Sequence, residues 1–144
     1  MISVTEQFAQ YAVAGPNSRK LLQKVIDSDC DISNEAFPYM AAGEITLCGG
    51  IPARLFRISF SGELAYEIAV QTRYGDSLMR VLMEAGEEFN VVPYGTEALG
   101  VMRIEKGHAA GPELNGQTSA YDLGMGGMVS GKKDFIGYKL GLRE

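Results

Sequence analysis

The chain has 144 residues, 46% of them hydrophobic, and a formal net charge of −5. That length suits one domain with a core of its own, and the acidic balance argues against general nucleic-acid binding, which needs a basic face to neutralise phosphates. No apolar run reaches the length of a bilayer span, no basic and apolar leader opens the chain, and Cys30 and Cys48 have neither Cys-x-x-Cys spacing nor a histidine cluster for zinc.

Residues 10–14 read as a short strand closed by Gly15-Pro16, after which Pro16 or Asn17 opens a helix with Leu21, Leu22, Val25 and Ile26 on one face. Asp27-Ser28-Asp29 ends it, and the polar segment to Asn34 is loop. Pro38 makes 37–40 an irregular turn. Residues 44–47 and 51–60 are strands about a Gly49-Gly50 hairpin turn. Residues 74–89 form a helix with Leu78, Val81, Leu82, Ala85 and Phe89 as its stripe and Asp76 or Thr72 as its cap. Thr96 caps a last helix through Lys106, closed by Gly107; Ala98, Leu99, Val101, Met102 and Ile104 span so wide an arc that this helix should be largely buried. Residues 108–131 hold six glycines and show no period, so they read as loop. Three or four sequential antiparallel strands with two or three helices packed on them make the fold class α+β.

The stretch 57–70 carries the most chemistry. Phe56, Ile58 and Phe60 alternate, and so do Tyr66, Ile68 and Val70. Bringing both rows to one face needs a short odd-numbered turn around Gly62-Glu63-Leu64, with 54–60 and 65–70 adjacent. In that register Glu67 lies across from Ser59 and diagonal to Arg57, with Ala65 and Ala69 beside it on its own strand. Small neighbours leave room for something flat to lie against the sheet. The alternative is a solvated strand glutamate paired with Arg57.

Elsewhere the signals are weaker. His108, the only histidine, follows a helix end, where its charge suits the dipole. No Gly-x-Ser-x-Gly elbow or phosphate loop exists, and Gly124-Met-Gly-Gly127 lacks dinucleotide spacing. Asp122 reads as a turn former. Free thiols at Cys30 and Cys48 suit a cytoplasmic protein, with a disulfide as the alternative.

Five segments in order carry a family resemblance. Ile58-Ser-Phe-Ser-Gly-Glu-Leu-Ala-Tyr-Glu-Ile68 resembles the Tyr-Thr-Gly-Glu-x-Gly-x-Glu-Ile segment of the glycine-cleavage aminomethyltransferases, or T-proteins, and is closer still to the related domain of the sarcosine and dimethylglycine oxidases. Ala12-Val-Ala-Gly-Pro-Asn-Ser-Arg19 resembles Leu-x-Gly-Pro-x-Ser/Ala-Arg, and Phe37-Pro-Tyr-Met40 resembles Phe-Pro-Phe-Met. Gly95-Thr-Glu-Ala-Leu-Gly-Val-Met-Arg-Ile-Glu-Lys-Gly107 and Lys132-Lys-Asp-Phe-Ile-Gly137 resemble two further family segments. The forms of these last two are most similar to the alpha subunits of heterotetrameric sarcosine oxidases.

The resemblance implies a T-protein-like middle domain of ferredoxin-like tendency, spanning 1–144 as a single domain or fragment, with the loop-rich segment 108–144 leading toward a barrel domain beyond it. It implies a tetrahydrofolate site in which Glu67 holds the pterin, Phe60 stands where the family has a folate-contacting tyrosine, and Arg103 matches a family arginine. A second family arginine is replaced by Leu99, which puts that folate contact in doubt and is typical of the oxidase branch. The expected function is the tetrahydrofolate-binding portion of a sarcosine oxidase alpha subunit, in an enzyme that demethylates sarcosine oxidatively and passes on the one-carbon unit. Its partners would be folate and other oxidase subunits or domains, with no nucleic acid and no membrane. FAD or FMN and NAD would sit outside this chain, as would the family's catalytic aspartate, so no catalytic residue is assigned, and the chain alone is expected to turn over no amine. The competing readings are a non-catalytic T-protein-like folate-binding or assembly protein, an aminomethyltransferase fragment, and a purely structural domain.

Overall fold

In the computed structural model, which describes residues 1–141 (Leu140 by its backbone alone), the chain falls into two compact units, Met1–Lys106 and Gly107–Glu144. The first holds strands β1 (Phe8–Ala14), β2 (Ala42–Leu47), β3 (Ile51–Phe56) and β4 (Ala65–Gln71), with helices α1 (Ser18–Leu22), α2 (Gly75–Gly86) and α3 (Thr96–Lys106). The strands form one antiparallel sheet in the order β1-β4-β3-β2. The fold is α+β, as the alternating segments and helical stripes imply.

One face of this sheet is the core. Val13, Tyr66, Ile68, Val70, Ala53, Leu55, Ile45 and Leu47 share it by register and are all buried. Leu21 and Leu22 of α1 and Leu78 and Leu82 of α2 complete the same cluster, with Val81, Ala85 and Phe89 packed at its margin. At the end of α2 the chain needs glycine: a Cβ on Gly86 would collide with the side chain of Val91. The helix has no side-chain cap; Asp76 pairs with Arg80 one turn along, and the Thr72 hydroxyl donates to the Glu6 carbonyl.

The Gly49-Gly50 turn forms as expected, with φ of 84° and 114°. Asp27 holds it from outside, its carboxylate accepting the N–H groups of Gly49 at 2.7 Å and Gly50 at 2.9 Å. The Gly49 bond, then the Thr46 hydroxyl and the Gly50 bond, keep this carboxyl below its ordinary value. A carboxyl whose folded pKa is depressed stabilises the fold above its unfolded pKa, and that contribution disappears as pH falls through the folded value. Asp27→Asn should therefore lower the melting temperature at neutral pH, and the gap to the parent should close as pH drops below about 4. Melting curves across that range check it.

The structure corrects three local expectations. The ladder between β3 and β4 pairs Phe56 with Glu67, Leu55 with Ile68 and Ala53 with Val70, so Glu67 does not face Ser59. This three-residue shift puts Leu55, not Phe56, in the core row, and residues 57–64 are a connection rather than a strand and tight turn. The α1 helix stops at Leu22; Val25 and Ile26 are buried from the turn that follows, with Ile26 bridging to Leu47. The α3 helix has the expected bounds but no buried residue, and Val101 and Ile104 are 59% and 61% exposed.

The second unit is built of turns. Its described elements are the 3-10 turns Gly111–Glu113 and Gly126–Met128 and the short helix α4 (Tyr138–Gly141). Asp122 is a turn former here, accepting from the N–H and hydroxyl of Ser119. The last three residues of the 108–144 segment lie outside the described residues.

Candidate functional site

Glu67 stands on the inner strand β4, and its side chain points away from the core row of Tyr66, Ile68 and Val70. The start of β4 is held firmly. The Leu64 carbonyl accepts from the Gly15 N–H at 2.9 Å and from the Ser18 hydroxyl at 3.0 Å. The buried Tyr66 hydroxyl accepts from Arg19 Nε at 2.8 Å, and Arg19 in turn reaches Asn34. These bonds fix the strand that carries Glu67.

The face around Glu67 combines three strands. Directly opposite it stand Ala12 on β1 and Phe56 on β3, and Ala14 faces Ala65. Gln10, diagonal to Glu67, donates its amide Nε2–H to Glu67 Oε2. A carboxylate has more lone pairs than one donor occupies, so Glu67 keeps acceptor sites on both oxygens. Arg57 is committed elsewhere, its guanidinium donating to the Phe37 carbonyl at 2.7 Å. Among the described residues no ion pair joins it to Glu67.

At one end of this face Arg54 lies over the Phe8 ring, 4.6 Å from its centroid. Arg54 is opposite Ala69 and Phe8 opposite Gln71, so the two side chains reach across β4 over Ala69. Ala69 is consequently covered, at 4% exposure. Ala65 is buried too, so the room expected beside Ala65 and Ala69 is not there; the open space lies over Ala12, which is exposed. A cleft of about 410 Å³ opens beyond the Phe8–Arg54 stack, lined also by Glu44, Thr46, Pro52 and Gln71.

Phe60 and Arg103, the other two candidates, are not on this sheet. Phe60 is 40% exposed on the 57–64 connection, followed by Ser61, whose buried hydroxyl has no hydrogen-bond partner. Arg103 is half-buried on α3, one turn before Lys106. The Lys106 side chain lies against Gly62, where a Cβ would meet it at 2.8 Å, so the end of α3 rests on the connection that bears Phe60. Gln10, Ala12 and Phe56 were not singled out by sequence reasoning. The β1–β4 pairing brings the first two in; the corrected register brings in the third. Among the described residues no group of three or more His, Cys, Asp or Glu could hold a metal ion, and no helix is long and apolar enough to cross a membrane.

Comparison with known proteins agrees with the sequence motifs. The family described as the GCVT N-terminal domain matches residues 1–133. The chain is 53% identical over its whole length to sarcosine oxidase subunit alpha of Rhizobium meliloti, of which it spans 15%. It is 34% identical over 94% of its length to mitochondrial dimethylglycine dehydrogenase of Mus musculus, spanning 16% of that protein. It is 30% identical over 95% of its length to aminomethyltransferase of Halothermothrix orenii, spanning 38%.

Proposed function

The chain belongs to the family of the GCVT N-terminal domain, and on that premise we propose that it is the tetrahydrofolate-binding portion of a sarcosine oxidase alpha subunit, working in the cytoplasm with other oxidase subunits or domains. The observation that carries the proposal is the carboxylate of Glu67, bonded to Gln10 on an inner strand beside an exposed alanine. The 2-amino-pyrimidinone edge of a pterin presents adjacent N–H donors, which an ionised carboxylate accepts in a charge-assisted pair. Ala12 leaves the space beside it open for the ring. Phe60 and Arg103 complete the proposed contacts, one by its ring and one by its guanidinium.

In such an enzyme a flavin held elsewhere supplies the amine oxidation, and tetrahydrofolate bound here takes up the one-carbon unit. The part of this chain is to bind and orient the folate. Titration of the full-length protein with 5-formyltetrahydrofolate should give saturable binding, and no heat of binding at any attainable concentration would overturn the proposal. Ala12→Leu should weaken that binding sharply by filling the space beside Glu67. Because Ala12 is exposed, its melting temperature should stay within about 2 °C of the parent.

A further inference from the structure

We propose that Gln10 is a positioning residue for Glu67 and selects, through it, ligands with a flat edge of adjacent N–H donors. The proposal rests on the folate reading above and adds a residue to it. Gln10 lies on the edge strand β1, opposite Ala69, with its side chain exposed. It belongs to no part of the core. Its amide nevertheless reaches diagonally to β4 and donates to Glu67 Oε2. A carboxylate only accepts, so the NH2 end of the amide must face it.

Two consequences follow for the site. A glutamate on an open sheet face rotates freely about three side-chain bonds, and a ligand must arrest that motion. The bond from Gln10 arrests it beforehand, which preserves affinity by preorganisation. Held by that bond, the two oxygens of Glu67 keep their remaining acceptor sites side by side on one face. A ligand edge offering donors in a row satisfies them. An edge that offers acceptors, or a carboxylate of its own, is repelled.

The test uses the full-length protein and 5-formyltetrahydrofolate as probe. Gln10→Met keeps the length of the side chain and removes the amide; it should weaken binding about three- to tenfold, the worth of one hydrogen bond. Gln10→Glu places a second carboxylate against Glu67 and should weaken it further. Both variants should melt like the parent, because Gln10 is exposed. In a Glu67→Ala background, Gln10→Met should change binding less than twofold, because a residue that acts through Glu67 has nothing left to act on. Equal losses in both backgrounds would overturn the positioning role. A loss with Glu67→Ala but none with Gln10→Met would overturn this inference and leave the functional reading standing. No loss with Glu67→Ala would overturn the functional reading itself, and the inference with it.

Discussion

Glu67→Ala in the full-length protein is expected to weaken tetrahydrofolate binding about ten- to a hundredfold, since hydrogen bonds to a charged acceptor contribute roughly 1.5–3 kcal/mol. Under the proposed function the consequence is chemical as well as thermodynamic. A one-carbon unit that meets no folate is released as formaldehyde, so formaldehyde formed per sarcosine consumed should rise and methylenetetrahydrofolate should fall. Glu67→Gln should lose almost as much, because the amide keeps one acceptor but turns a donor toward donors. It also meets Gln10, whose NH2 group then has one acceptor where a carboxylate offered two. Wild-type affinity and an unchanged product ratio in both variants would leave Glu67 a strand residue bonded to Gln10 and nothing more.

The second large effect separates the two possible registers of β3. Leu55 is fully buried and pairs with Ile68 on the core face, whereas Phe56 is half-buried and pairs with Glu67 on the other. Leu55→Ala should cost about 2–5 kcal/mol, from lost transfer energy and the cavity left behind. That corresponds to a fall in melting temperature of roughly 5–15 °C. Phe56→Ala should cost clearly less and should disturb folate binding instead. A register with Phe56 in the core row would reverse the order of stability losses, and chemical denaturation of the two variants distinguishes them.

The elements themselves were legible in the sequence because their signals are local. The α3 bounds follow from Thr96 and Gly107, and α2 from its stripe, whose Leu78 and Leu82 are buried. Register was not legible, because alternation continues through Ile58 and Phe60 after the ladder has ended. What ends it is polar. The Arg57 N–H donates to the Ala41 carbonyl and its side chain to Phe37, which draws the backbone toward 37–41 and away from β4. The Ser59 hydroxyl then accepts from the Gly62 N–H and turns the chain. The alanine neighbours and the family motif single out Glu67 as a candidate. They could not single out Gln10, because its bond to Glu67 joins residues 57 positions apart. The wide apolar arc of α3 suggested burial, yet such an arc states that cover is favourable and not which residues provide it.

The place of β4 between β1 and β3 has a consequence for when the site comes into being. Residues 67–70 are flanked on both sides, by a strand some fifty residues earlier and by one that ends eleven residues before Glu67. The nearer pairing closes a short loop; the farther one carries the larger entropy of closing a long loop and so forms late. On loop-closure entropy alone, Glu67 is expected to enter its strand before Gln10 reaches it. The Gln10–Glu67 bond is then expected to form only with the long-range β1–β4 pairing, so the proposed site depends on the contact of the sheet that spans the most chain.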